Sequence, residues 1–223
     1  MKAYDVVTFD CYGTLIDWER GIFEAFAGAA VAAGRQLPGR EEILAAYASI
    51  EPEVEAGPYR PYREILAAAA ALVARRLGWP LAEEDAGFLA ESVSTWRPFS
   101  DTNPALARLN AAGIRLGILS NVDEDLLDGT RTQLDAAFDL VVTAERVRSY
   151  KPGHAHFEAA RAALGPGARW LHAAQSYFHD VMPTRALGIP VAWINRKSET
   201  AGPAGAPDRE LPNLTALADW LCQ

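Results

Sequence analysis

Five short aliphatic runs punctuate the chain, at 4–9, 114–119, 139–143, 169–174 and 190–195, and each is nearly continuous rather than alternating. Continuous apolar runs of this length are what strands covered on both faces require. Between the later runs the apolar residues take helical spacing. A segment at 101–112 ends near Gly113, one at 125–137 precedes the third run, one at 156–164 ends at Gly165, and a last one at 213–222 begins near Asn213. Strand and helix thus alternate, which predicts an α/β fold built on a Rossmann-like parallel sheet core of five or more strands. Right-handed crossovers then bring all strand C-termini to one edge, where Asp10, Ser120, Lys151 and Asp180 are expected to meet.

The interval between the first and second runs, about a hundred residues, is far too long for a single crossover. It is dense in alanine and almost free of strand signals. Helices are predicted at 17–34, 40–55, 61–77 and 83–95, separated by Gly34, Pro38, Gly57-Pro58 and Gly78-Trp79-Pro80. The alanines at 67–71 read as tight helix packing. The expected organisation is therefore a core formed by 1–15 and 96–223, with an inserted all-helical cap domain at 16–95. The segment 198–212, rich in Gly, Pro and Ala, shows no periodicity and is expected to be an exposed loop.

Four local patterns carry chemistry. The first, Val6-Val7-Thr8-Phe9-Asp10-Cys11-Tyr12-Gly13-Thr14-Leu15, ends a strand on a carboxylate and turns at once through a glycine. Aspartate is common in turns, so Asp10 alone reads equally as a turn former. The others are Leu119-Ser120-Asn121, Ser149-Tyr150-Lys151-Pro152, and the stretch from His172 through Gln175, Ser176, Tyr177 and His179 to Asp180. By itself Ser120 is as well explained by a helix cap, and Lys151 by a solvated charge. Two acids and a lysine at converging strand ends are another matter, because folding alone asks for no such set. Two carboxylates about 4 Å apart repel by about 4 kcal/mol at an effective dielectric of 20, so Asp10 and Asp180 need Lys151 to stay ionised together.

In these four patterns the chain resembles the haloacid dehalogenase superfamily, and within it the type II 2-haloacid dehalogenase group. The resemblance spans essentially the whole chain, cap insertion included. It implies that Asp10 is the nucleophile, that Ser120 binds the nucleophile or the substrate carboxylate, and that Asn121 helps hold the departing halide. It further implies that Lys151 balances the acids and that Asp180 is the base directing water onto an Asp10 ester. Tyr12, Thr14, Gln175, Ser176 and Tyr177 fall at substrate-binding positions. Phosphatases of this superfamily usually carry Asp where Tyr12 stands, and metal-using relatives carry Asp where Gln175 stands. Without those acids little charge is left to dehydrate Mg2+, so neither a metal nor another cofactor is expected.

The chain departs from the dehalogenase pattern in two places. The early cap Arg that grips the substrate anion in that group aligns near Ala48, and the Ser and Asn that position the hydrolytic water are replaced by Gln175 and Tyr177. Arg60 and Arg63 offer a replacement anion clamp; a solvated helix start, with Glu64 pairing one of them, explains them equally well. His179 reads either as a proton relay or as a neighbour at the cleft mouth, Cys11 as a small core residue rather than a second nucleophile, and Trp18 and Phe178 as pocket wall or as core. The leading expectation is a metal-independent hydrolase of a small 2-haloalkanoic acid, working through an aspartyl ester. A phosphatase of the same fold, another carbon-centred hydrolase and a non-enzymatic binding protein on a decayed scaffold are the alternatives.

Composition narrows the partners. With 21 Lys and Arg against 29 Asp and Glu, the net charge of -8 argues against nucleic acid and anionic membranes. The expected partners are a small carboxylate substrate and water, with a homodimer left open. No apolar stretch has transmembrane length, and the opening Met1-Lys2-Ala3-Tyr4-Asp5 lacks a signal-peptide core, which predicts a cytoplasmic address. Cys11 and Cys222 make no disulfide framework, and His154 and His156 near Lys151 form no metal-ligand pattern.

Overall fold

The computed structural model describes residues 3–36, 38–79, 81, 85–202 and 205–223. Met1, Lys2, Pro80, the first two residues of the predicted 83–95 helix and Pro203-Ala204 of the predicted loop lie outside the described residues. Among those described, six strands form one parallel sheet: β1 (Val6–Phe9), β2 (Arg115–Ser120), β3 (Leu140–Thr143), β4 (Trp170–Ala174), β5 (Val191–Ile194) and β6 (Arg209–Leu211), in the order β3-β2-β1-β4-β5-β6. The chain winds outward from β1 to β3 on one side, then crosses to β4 and winds outward on the other. That reversal opens a crevice beyond the C-terminal ends of β1 and β4, the position where open α/β sheets bind ligands.

The helices of the sheet unit are α5 (Thr102–Ala111), α7 (Ala144–Val147), α8 (Ala155–Leu164), α9 (Met182–Ala186) and α10 (Leu214–Leu221). One core cluster gathers Leu119, Val142, Phe157, Ala160, Trp170 and Ile189. Register fixes what lies side by side in the sheet. Thr8 pairs with Gly117 on one flank and His172 on the other. A Cβ at Gly117 would come within 3.0 Å of the Thr8 methyl and 3.1 Å of the Leu140 carbonyl, so only glycine leaves Thr8 its space.

The chain separates into two compact units: Met1–Asp17 with Pro98–Asn121 and Gln133–Gln223, and Trp18–Arg97 with Val122–Thr132. The second has no strand among its described residues. It comprises α1 (Trp18–Ala32), α2 (Arg40–Glu55), α3 (Tyr62–Arg76), α4 (Phe88–Ser92), a 3-10 turn at Val93–Thr95 and α6 (Glu124–Arg131). Ala69 and Ala70 of α3 are fully buried, as expected of close helix packing.

The structure differs from the sequence reading at several points. The helix expected at 125–137 ends at Arg131 and belongs to the helical unit, because Gly129 lies close against Ser94 and Asp123 caps α3. The helix expected at 83–95 is a five-residue α4 followed by the 3-10 turn. The predicted 198–212 loop contains β6, a three-residue edge strand too short to show periodicity, held to β5 by register. A π-helical turn at Tyr177–Val181 runs straight into α9, where no helix was expected. No described helix is long and apolar enough to cross a membrane.

Candidate active site

Asp10 immediately follows β1, its N–H donating to the Ala173 carbonyl at 3.2 Å. The chain then turns back on itself, with Leu15 N–H and Ile16 N–H both donating to the Cys11 carbonyl. Gly13 sits at φ 95°, a conformation that side-chain-bearing residues seldom adopt. The turn aims Thr14 back at the carboxylate: its hydroxyl donates to Asp10 Oδ2 at 2.9 Å and accepts from Gln175 N–H at 2.9 Å. One hydroxyl thereby ties the end of β1 to the end of β4.

Lys151 is fully buried and donates to three oxygens: Asp10 Oδ1 at 2.9 Å, Asp180 Oδ1 at 2.6 Å and the Leu119 carbonyl at 2.9 Å. Its position is set by Asn121, whose side-chain amide accepts from Lys151 N–H at 2.7 Å and donates to the Lys151 carbonyl at 3.0 Å. Pro152 lies in the turn ahead of α8, not within its first turn. Burial lowers the proton affinity of Lys151, but the two carboxylates outweigh it and hold the pKa above the ordinary lysine value.

The two acids are driven apart. Burial pushes the Asp10 pKa up; Lys151 opposes that, the charge of Asp180 adds to it, and the net direction is upward. Asp180 is buried as deeply, but Lys151 and a hydrogen bond from His172 overcome the desolvation and hold its carboxyl well below the usual range. Asp180 Oδ1 takes both of those hydrogen bonds. Asp180 Oδ2 and the buried Ser120 Oγ have no hydrogen-bond partner among the described residues. A carboxylate with one oxygen anchored and the other open is the arrangement a general base needs.

The remaining predicted residues divide. Tyr12 is half-buried in the turn, where it bridges to Ile16. Gln175 contributes its backbone, with N–H to Thr14 and its carbonyl accepting from Trp193 Nε1 at 2.8 Å. Ser176 caps the π-helical turn, accepting from His179 N–H at 3.0 Å, and its hydroxyl also faces His179 Nδ1 at 3.1 Å. Tyr177 turns outward instead, its hydroxyl lying 2.8 Å from the carbonyls of both Gly202 and Gly205. Cys11 is buried, and burial followed by the Asp10 charge raises its thiol pKa well above the ordinary value, which makes it inert.

In the helical unit, Arg60 donates to the Val54 carbonyl at 3.0 Å. Arg63 grips Asp123 at 3.2 Å and Asp125 at 2.5 Å, while Asp123 accepts from the N–H groups of Tyr62 and Arg63 at the start of α3. Both guanidinium groups are thus engaged inside their own unit. Ala48 is exposed on α2.

Three features were given no structural role by the sequence. Arg196 donates to the Thr14 carbonyl at 2.9 Å and pairs with Asp101 through two nitrogens, bracing the turn that follows Asp10. His156 donates to the Ser120 carbonyl at 3.1 Å; burial and the nearby Lys151 lower its pKa to about 3, so it is neutral. Thr8 and His172 interrupt the apolar runs of β1 and β4 with polar side chains on adjacent strands. That interruption was the available signal.

The chain is an open α/β sheet protein with a buried Lys–Asp–Asp cluster at its switch point. More narrowly, the chain belongs to the haloacid dehalogenase-like hydrolase family, whose model matches residues 4–173. It is 27% identical to an (S)-2-haloacid dehalogenase of Pseudomonas putida over 227 residues, covering 99% of this chain and 98% of that one. The fold matches a defluorinating L-2-haloacid dehalogenase at TM-score 0.84 and 22% identity, covering 99% and 96% of the two chains. It also matches the L-2-haloacid dehalogenase of Xanthobacter autotrophicus with chloropropionic acid covalently bound, at TM-score 0.78, 24% identity and 97% of each chain.

Proposed function

We propose that the chain hydrolyses the carbon–halogen bond of a small 2-haloalkanoic acid, without a metal, through an ester of Asp10. An Asp10 oxygen attacks the halogen-bearing carbon, the carbon–halogen bond breaks and halide leaves with the electron pair. Water then attacks the Asp10 carbonyl carbon and gives a proton to Asp180. The ester bond breaks, the departing alkoxide takes up the proton, and 2-hydroxy acid and free Asp10 result. Splitting a difficult displacement into two steps is the advantage of a covalent intermediate. The observation that carries the reading is Lys151 bridging Asp10 and Asp180 with one Asp180 oxygen left open. The full-length relationship to an (S)-2-haloacid dehalogenase supports it.

Halide leaves as a stable anion and needs no Lewis acid. A divalent cation here would lack the acidic ligands that metal-using relatives carry where Tyr12 and Gln175 stand. The sheet unit is the proposed catalytic core, and the helical unit, the insertion expected at 16–95 together with 122–132, is the proposed cap domain. With Arg60 and Arg63 engaged elsewhere, Ser120 Oγ is the proposed anchor for the substrate carboxylate. An address in the cytoplasm belongs to the same proposal.

The test is a panel of chloro-, bromo- and fluoro-2-alkanoic acids beside generic phosphate esters, with and without EDTA. Stoichiometric halide and hydroxy acid, unchanged by chelation, is the expected result. Phosphate release that EDTA abolishes and Mg2+ restores would favour a phosphatase.

A second prediction concerns pH. Attack requires ionised Asp10, whose pKa is raised, whereas Asp180 stays ionised to lower pH. The rate of halide release should therefore fall with acidification along a one-proton limb lying above the ordinary Asp value of about 3.9. A rate flat down to that value would contradict the assignment.

A further inference from the structure

Behind Asp180 a line of buried side chains runs back through the sheet. Trp170 and His172, two residues apart on β4, project from the same face, and the register sets Thr8 of β1 beside His172. Trp170 Nε1 lies 2.7 Å from Thr8 Oγ1, Thr8 Oγ1 lies 2.8 Å from His172 Nδ1, and His172 Nε2 lies 3.0 Å from Asp180 Oδ1. The Phe157 ring stands edge-on to the imidazole at a centroid distance of 5.3 Å and fixes its plane. His172, Thr8 and Asp180 are all fully buried.

The donors and acceptors along this line satisfy one another when the imidazole proton sits on Nε2. An indole N–H only donates, so Thr8 Oγ1 accepts from Trp170. In that arrangement the Thr8 hydroxyl hydrogen donates to His172 Nδ1, 2.8 Å away. An accepting Nδ1 places the imidazole proton on Nε2, and that N–H points at Asp180 Oδ1.

We propose that His172, held by Thr8 and Trp170 with its Nε2–H on Asp180, is the positioning residue of the ester-hydrolysis step: it saturates Asp180 Oδ1 together with Lys151 and thereby turns Oδ2 toward the hydrolytic water. This inference rests on the reading of Asp180 as the base for an Asp10 ester. In the four-motif pattern, Ser and Asn beside Asp180 would position that water, and here Gln175 offers its backbone while Tyr177 points away to the Gly202 and Gly205 carbonyls. Orientation of the base itself is what remains. Because His172 touches neither Asp10 nor the attacked carbon, its loss should slow the second half-reaction and spare the first.

The experiment is a single turnover of (S)-2-chloropropionate with enzyme in excess, following chloride for ester formation and lactate for ester hydrolysis. His172→Leu should leave the chloride step within about twofold and slow the lactate step by about 10- to 100-fold, a part of the roughly 10²- to 10⁴-fold that a positioned base supplies. His172→Gln, whose amide N–H can stand in for Nε2–H, should recover part of that loss, and Thr8→Val should slow the same step less than His172→Leu. Long-range 1H–15N spectra of the labelled wild-type protein should show His172 as the Nε2–H tautomer, a readout that does not depend on turnover. Equal slowing of both steps, a lactate step at the wild-type rate, or an Nδ1–H tautomer would each overturn the proposal. If the wild type releases no chloride from this probe, the failure lies with the Asp10 reading, and the tautomer spectrum decides the lock on His172.

Discussion

Asp180→Asn is expected to release halide in a single turnover at close to the wild-type rate and then to stall with the substrate esterified on Asp10. The substitution fits the site. The introduced carboxamide can keep its carbonyl oxygen where Oδ1 now accepts from Lys151 and His172, which puts the amide nitrogen at the Oδ2 position. That nitrogen cannot take a proton from water, so hydrolysis should slow by about 10²- to 10⁴-fold, the usual contribution of a general base. Ester formation should not suffer, because the negative charge of Asp180 raises the Asp10 pKa and its removal eases ionisation of the nucleophile. The acid limb of the halide burst should accordingly move to lower pH in this variant. Mass spectrometry of the peptide at 6–20 and a pH series of the burst check both parts; loss of the halide burst itself would contradict the division of roles.

Lys151→Met should be the most damaging substitution for stability as well as for rate. The lysine is buried and bridges two buried carboxylates, and removing one member of a buried ionic set costs about 3–5 kcal/mol because the remaining charge is left uncompensated. For a chain of this size about 2–4 °C of Tm accompanies each kcal/mol, so Tm should fall by roughly 6–20 °C. The pH dependence has a definite sign. Without the ammonium, both acids have raised pKa values in the folded state, so the folded form binds protons that the unfolded chain does not, and stability is lost as pH rises through those values. The deficit should therefore shrink at mildly acidic pH, and thermal melts at two pH values check this. A Tm equal to wild type at neutral pH would mean that the ion triad is not the cement of the site.

The five main strands were legible in the sequence because a doubly covered strand needs an unbroken apolar run, and little else produces one at regular intervals. Helix ends were less legible. Nothing near 125–137 announces that its first turns belong with helices distant in the chain, since the deciding contacts are Gly129 against Ser94 and Asp123 on the start of α3. β6 escaped because three residues on a sheet edge carry no period.

Within the candidate site, Asp10, Lys151 and Asp180 were legible as chemistry that folding does not require, and the structure brings them together. Arg63 was not legible in the same way: a guanidinium at a helix start is visible in sequence, but its partners Asp123 and Asp125 are supplied by tertiary structure. Tyr177 sits within three residues of Asp180 and still points elsewhere, because the π-helical turn rotates it toward the Gly202 and Gly205 carbonyls. Thr8 and His172 are harder again. A polar residue inside an apolar run looks like noise until strand register pairs it with another.

The central claim is the covalent ester on Asp10, and isotope transfer tests it most directly. In a single turnover in H2(18)O with enzyme in excess, water attacks the Asp10 carbonyl, so the heavy oxygen should appear in the peptide at 6–20 and the released hydroxy acid should be unlabelled. Labelled hydroxy acid with an unlabelled peptide would show that water attacks the substrate directly, and would contradict the account.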